Sequence, residues 1–444
     1  MNFEDLPADL VRAIIEDTLT RRRTDGHGPA LARWFTGRTD RAPDLGPWPC
    51  GKDDMNDTDV VVVGGGIGGL ANAYALASAG QRVRVLERAP AFAEVGAGLQ
   101  LAPNATRILR EWGLLDEVIA CGVLPRRLVL KDALDGAELT SLDLGDGFVR
   151  RYGAPYVVIH RSDLLTILHD ACRDAGVELL ADHAVDDVEV LPGRVRVRSG
   201  ERNYGAAVVL AADGLWSSLR SWLSTDEPVC SGYVAYRGTS PVSEVTGTDA
   251  EVPTDVVVHF GPRCHLVQYP LRGGELLNTV AVFASPAYER GETDWGGPEE
   301  LDAAFEGTCD AVRRGLAWLW RDRRWPMYDR LPVDTWVHRQ LALTGDAAHP
   351  MLQYLAQGAC QALEDAHCLA GEVAKLQAAS VLDWPGALSA YEQARTARTA
   401  RVQSTARVWG ELWHCDGLAR LLRNALLTDR RLDDYSHLDW LYQP

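Results

Sequence analysis

The 444-residue sequence has no long charge-free apolar run suited to a spanning helix, no Cys-x-x-Cys pair and no excess of basic residues. The weakly charged stretch 59–80 is near bilayer length, but its glycines unsuit it to crossing a membrane. Nine scattered cysteines, an odd number, argue for reduced thiols in a cytoplasm and against a disulfide framework or a zinc site, so no metal is expected. With 45 Lys and Arg against 62 Asp and Glu, the formal charge of −17 excludes nucleic acid or an anionic membrane as partner. It leaves room for a small anionic substrate held in a local basic pocket. The opening MNFEDLPADL lacks the basic start of a signal peptide, which again points to a cytoplasmic protein.

What is present is an ordinary globular composition, 46% hydrophobic and 24% charged, in a chain long enough for two or three domains. Residues 1–54 read as a separate extension without a catalytic role: one amphipathic helix, LVRAIIEDTLTRRR, then a Gly/Pro-rich connector. From Asp59, DVVVVGG, GLANAYALASAG and RVRVLE form a strand–helix–strand unit. The stretch from Ser231 to Tyr288 is strand-rich and predicts a separate sheet, and Leu388 to Leu427 predicts helix.

VVVGGGIGGL sets Gly64, Gly66 and Gly69 directly after a strand and at the start of a helix. That spacing allows a tight turn, close approach of a pyrophosphate and close helix–strand packing, with the helix N-terminus facing the phosphate charge. Glu87 ends the second strand about twenty residues on, where a carboxylate accepts bonds from ribose hydroxyls. Three later stretches favour an extended dinucleotide with a ribityl chain over a nicotinamide dinucleotide. These are Arg161 in HRSDLLTIL, Asp213-Gly214 with Ser217 and Arg220 in VVLAADGLWSSLR, and Gly345-Asp346 in LALTGDAAHP.

In this order the motifs resemble the group A flavoprotein aromatic hydroxylases, from about Asp59 to Gln443. The resemblance implies an α/β fold: a Rossmann-like FAD-binding domain with an inserted mixed β-sheet substrate domain and C-terminal helices. The implied FAD-binding part is 55–125, 152–228 and 333–395, the substrate part 126–151 and 229–332, and the helical segment 396–444. It implies an FAD site of Gly64, Gly66, Gly69, Glu87, Arg88, Gln100, Arg161, Asp213, Asp346, Pro350 and Gly358. The stretches GYVAYRGT, GPRCHLVQYPLRGGE, RDRRWPMYDR, HPMLQYLAQGA and WGELWHCDGLARLLRNAL are most similar to the branch of the family that acts on 3-hydroxybenzoate. In the salicylate and hydroxynicotinate branches Pro tends to stand where this chain has Gln353.

That likeness implies para-hydroxylation to 2,5-dihydroxybenzoate with NADH and O2 through a C4a-hydroperoxyflavin, in a homodimer, with His265, Tyr269 and Gln353 lining the aromatic pocket. Alternation puts His265, Val267 and Tyr269 on one face of CHLVQYPL. A histidine suits drawing the phenol proton near neutral pH, which makes the ring electron-rich at its ortho and para positions. A satisfied buried His–Tyr pair would share the same spacing. Arg237 and Arg263 are candidates for a substrate carboxylate. His349 and Pro350 are expected to belong to the flavin loop, with Pro350 shaping its turn and His349 without an acid–base role, and Cys264 and Cys360 to be buried packing residues. The alternatives are a salicylate or hydroxynicotinate hydroxylase, or a flavoprotein that hydroxylates nothing, as a dehydrogenase or a regulatory binding protein.

Overall fold

The computed structural model describes residues 58–93, 97–245, 253–379 and 383–443. The expectations for residues 1–54 lie outside these. Strand β1 (Thr58–Val63) is a run of valines buried on both faces, which suits the centre of a parallel sheet. Helix α1 (Ile67–Ser78) leads to β2 (Val83–Leu86), parallel to β1. Strand β3 (Gly98–Leu101) leaves this sheet and pairs antiparallel with Val157–His160, which runs directly into helix α2 (Arg161–Asp174). Strand β4 (Arg202–Ala211) lies parallel to β1 on the side away from β2.

The chain then builds a second sheet from β5 (Val229–Pro241), β6 (Val256–Gly261), β7 (Cys264–Leu271) and β8 (Leu276–Ala284). Its seven strands run in the order Trp325–Asp329, β5, β8, β7, β6, Arg127–Asp132, Glu138–Asp143. The strand-rich stretch expected from Ser231 to Tyr288 thus forms the sheet's middle, and earlier and later strands complete its edges. The last described strand, β9 (Leu341–Leu343), returns to the first sheet parallel to β4.

Three long helices follow: α3 (Gly358–Ala378), α4 (Trp384–Trp413) and α5 (Gly417–Thr428). Helix α3 packs against α1 and α4, and α4 runs unbroken through residues 395 and 396.

Directly paired residues of an antiparallel ladder share a face of the sheet. The register therefore sorts the second sheet. One face carries Ala235 and Arg237 of β5, Val258 and Phe260 of β6, His265, Val267 and Tyr269 of β7, and Asn278, Val280 and Val282 of β8. Its apolar members join the main core shared with the first sheet. The other face carries Val234, Tyr236, Cys264, Leu266, Ala281 and Phe283, which form a separate core with Leu301, Phe305, Val312 and Leu316.

His259, His265 and His414 are all buried in or against this sheet. Burial holds His259 down to about 4 and His265 to about 3, and it pushes His414 well below the ordinary histidine value. These rings fold as neutral groups, so as pH falls the unfolded chain takes up their protons first. Each contributes stability that is full above its unfolded pKa of about 6.5 and lost as pH falls toward the folded value. By pH 5 the loss is about 2 kcal/mol per ring, against a typical total of about 5–15 kcal/mol. Denaturant midpoints measured between pH 7.5 and 5 should fall steadily; a flat profile would show that these rings are not buried neutral.

Candidate active site

The turn between β1 and α1 is closed on itself by backbone contacts. Gly64 has φ +107°, and a Cβ there would stand 2.4 Å from the Ala212 carbonyl oxygen. A Cβ on Gly69 would stand 1.9 Å from the carbonyl oxygen of Gly64, so strand and helix are as close as backbone allows. Gly66 is the N-cap of α1. The Glu87 carboxylate accepts from the Gly65 N–H at 2.6 Å and the Ala89 N–H at 2.8 Å. Each carboxylate oxygen keeps a further lone pair for a ribose hydroxyl. Arg88 is exposed beside it.

The other half of the cradle lies against this turn, with a Cβ on Gly68 only 3.9 Å from the Gly345 Cα. Asp346 is exposed between buried neighbours, and its Oδ1 would stand 3.9 Å from a Cβ on Gly358, the first residue of α3. A carboxylate and a helix N-terminus thus meet beside a glycine-lined turn, which suits the hydroxyls and phosphates of FAD. Asp213 instead folds back on its own turn: Oδ2 accepts from the Ser218 N–H at 2.9 Å, while Oδ1 is buried without a partner.

The loop bearing Gly345 and Asp346 is pinned from behind by Asp365 of α3. Its carboxylate accepts from the Gly345 N–H at 2.9 Å, pairs with His349 Nε2 at 2.6 Å and accepts from Arg395 Nε at 2.8 Å. Burial would raise the Asp365 pKa, but His349 and Arg395 more than offset it and hold it at about 2. His349 is fully buried in this network, its ring beside Trp336. Arg220 donates to the carbonyls of Ala347 and Ala348, and Gln403 of α4 donates to that of Pro350.

Facing the cradle is the Arg237–Tyr269 side of the second sheet. Arg237 stands level with Val267, two strands away, between the levels of His265 and Tyr269. Its Nη2 donates to Gln353 Oε1 at 3.3 Å, its guanidinium lies 5.6 Å from the Trp325 ring centre, and Nε is buried without a partner. Burial and then the charge of Arg161 push its pKa down, and none of its hydrogen bonds or ion pairs among the described residues is to a carboxylate. Asn278, paired across from Tyr269, accepts from the Gly98 N–H at 2.7 Å and leaves Nδ2 buried without an acceptor.

Tyr269 packs against Gly98, where a Cβ would stand 2.5 Å from its ring. Burial raises the Tyr269 phenol pKa, opposed by the Arg237 charge and a hydrogen bond with Gln100. Gln100 also accepts from the Tyr156 hydroxyl at 2.5 Å.

His265 is placed differently from a lone pocket residue. Its Nδ1 lies 2.8 Å from Nε2 of His414, just past the end of α4, and the rings of Tyr354 and Trp413 pack edge-on against it. The structure also separates some candidates from the site. Arg263 turns outward to Glu289. Cys264 faces the outer core, and burial pushes the thiols of Cys264 and Cys360 up to about 12, which makes them poor nucleophiles. Sequence reasoning missed Asn278, Asp365 and His414; each is an ordinary polar residue in an element whose partners lie far along the chain.

A family model described as FAD binding domain matches residues 57–406. A 3-hydroxybenzoate 6-hydroxylase of Polaromonas naphthalenivorans is 38% identical over 397 residues, covering 88% of this chain and 97% of that protein. A 3-amino-4-hydroxybenzoate 2-monooxygenase of Streptomyces cremeus is 38% identical over 388 residues, covering 87% and 95%. Among solved structures, a variant of Klebsiella pneumoniae HpxO complexed with FAD aligns with a TM-score of 0.75 at 25% identity, over 87% of this chain and 99% of that one. A salicylate hydroxylase substrate complex aligns with a TM-score of 0.70 at 25% identity, over 87% and 95%. The chain belongs to the FAD binding domain family, as an FAD-dependent monooxygenase of the aromatic hydroxylase kind.

Proposed function

We propose that the protein hydroxylates 3-hydroxybenzoate para to its hydroxyl, giving 2,5-dihydroxybenzoate, with NADH and O2 as co-substrates. The observation that carries this reading is Arg237: a half-buried arginine beside Trp325 whose Nε is buried without a partner and which, among the described residues, bonds no carboxylate. A buried charge without a counter-ion is costly, and a substrate carboxylate supplies one. Gln353 and the free Nδ2 of Asn278 add uncharged hydrogen bonds beside it. His265, on the same face, takes the phenol proton: burial alone holds its pKa at about 3, and the phenolate formed beside it supplies the opposite charge that lets the ring keep the proton. With the carboxylate at C1 and the hydroxyl at C3, the para position is C6.

When bound, FAD reduced by NADH supplies the electrophilic oxygen taken from O2. Gly64, Gly66, Gly69 and Glu87 hold its adenosine-diphosphate half, with Arg88 alongside. Gln100, Arg161, Asp213, Asp346, Pro350 and Gly358 hold the remainder. The protein is read as cytoplasmic: no described helix is long and apolar enough to cross a membrane, and the eight described cysteines are free. Exposed Leu418, Leu421, Leu422 and Leu426 on α5 support a homodimer. A second reading is favoured by the equal likeness to the Streptomyces cremeus enzyme: hydroxylation of 3-amino-4-hydroxybenzoate in the same pocket.

The test is product identification. Purified holoenzyme should consume NADH and O2 with 3-hydroxybenzoate and yield 2,5-dihydroxybenzoate by chromatography; preferential turnover of 3-amino-4-hydroxybenzoate would replace the reading. Arg237→Met should keep FAD but raise KM for 3-hydroxybenzoate by roughly 30- to 1000-fold, the 2–4 kcal/mol expected for a desolvated charge pair. The neutral 3-hydroxybenzamide should distinguish the two proteins far less; an equal loss on acid and amide would remove Arg237 from the carboxylate. Gln353→Pro should retain FAD yet divert more NADH oxidation into hydrogen peroxide, and unchanged coupling would remove Gln353 from the pocket.

A further inference from the structure

The His265–His414 contact is a hydrogen bond between two imidazoles, with N···N 2.8 Å and ring planes 19° apart. Two facing lone pairs, or two facing N–H groups, would repel at that distance, so one proton lies between the two nitrogens. His414 Nε2 is the only hydrogen-bond partner of the His265 ring among the described residues. The His414 ring is itself clamped. Tyr233 packs on it at 4.6 Å between centres, Tyr354 meets it edge-on, and its carbonyl accepts from the Arg263 N–H at 3.0 Å. Among the described residues neither histidine bonds a carboxylate; after burial and His265 itself, the charges acting on His414 are the guanidiniums of Arg423 and Arg263. Asp132 nearby is engaged by Arg420, Arg423 and Asn424. Asp329, engaged by Arg407, and Glu411 act on Tyr354.

We infer that His414 is a positioning residue that decides which nitrogen of His265 carries its proton, accepting from Nδ1–H so that Nε2 is open to the substrate phenol. The inference rests on the proposed hydroxylation and names the device that prepares its base. Were the shared proton on His414 instead, His265 Nε2 would carry a hydrogen and could not receive one. In the forward step the phenol O–H bond breaks, its electron pair stays on oxygen, and an N–H bond forms at His265 Nε2. The Nδ1 proton shifts toward His414 Nε2, so the single positive charge formed spreads over two rings. Arg423 and Arg263 oppose that charge on His414, so the proton is drawn toward the phenolate again rather than lost to a permanently charged pair.

The test uses FAD-loaded enzyme and two variants, His414→Phe, which keeps a packed ring without the acceptor, and His414→Gln, whose amide oxygen can accept from Nδ1–H. Two quantities are read: the near-ultraviolet phenolate band of bound 3-hydroxybenzoate as a function of pH, and kcat separately from KM. Wild-type enzyme should show phenolate well below the ordinary phenol pKa of about 10. His414→Phe should keep FAD and KM within about 3-fold. Its phenolate onset should move up by at least about one pH unit and its kcat fall roughly 10- to 100-fold, and His414→Gln should recover most of both. An unchanged onset and kcat in His414→Phe would overturn the inference, as would a glutamine variant no better than phenylalanine, or loss of FAD in both. Wild-type enzyme that neither binds nor turns over 3-hydroxybenzoate would instead sink the functional reading, and this inference with it.

Discussion

The buried carboxylate of Asp365 is the constraint on which the two halves of the molecule depend. It is fully buried, and it joins the Gly345 backbone, His349 and Arg395 in one cluster spanning β9's outgoing loop, α3 and α4. The loop it fixes carries Asp346 on one side and Gln353 on the other, one facing the dinucleotide cradle and one touching Arg237. A buried carboxylate is tolerated only when its oxygens are satisfied and its charge is matched, and here both conditions are met by groups from three segments. Removing any one of them leaves the others exposed to the full desolvation cost, so the loop is held cooperatively.

The second sheet divides labour between its faces. The outer face is apolar where short helices close it into a core in its own right, and carries the buried polar His259, Gln268 and Thr279 farther along. The inner face mixes apolar residues of the main core with Arg237, His265, Tyr269 and Asn278, polar groups that would be a liability unless they served a ligand. Among the described residues Arg237 Nε and Asn278 Nδ2 have no acceptor, whereas His265 Nδ1 pairs with His414 Nε2. The polar groups of this face therefore differ in kind: two carry a buried nitrogen with no acceptor among the described residues, and one is paired with a neighbouring ring.

Much of this was legible in the sequence because the governing contacts are local. Gly64, Gly66, Gly69 and Glu87 fall within one strand–helix–strand unit, whose spacing alone dictates the turn. Alternation along β7 placed His265 and Tyr269 on one face before any partner was known. The partners were not legible, since they depend on how distant segments meet. Gln353 and Arg237 are separated by 116 positions, Gly98 and Asn278 by 180, and His265 and His414 by 149. His414 in particular reads as the fraying end of a helix, because no local pattern marks a residue whose only importance is the ring it meets. That Arg237 has no carboxylate partner among the described residues is equally invisible, because no local pattern records which side chains the fold keeps away.

Helix α4 has 30 residues and so spans about 45 Å. Arg395 near its middle grips Asp365 behind the flavin loop, and the ring of His414 just past its end meets His265. A stiff rod fastened at both points behaves as a lever with no slack: a shift that loosens one grip is felt at the other. Variation in the flavin loop cannot therefore be separated from the alignment of His265, and the two must be inherited together.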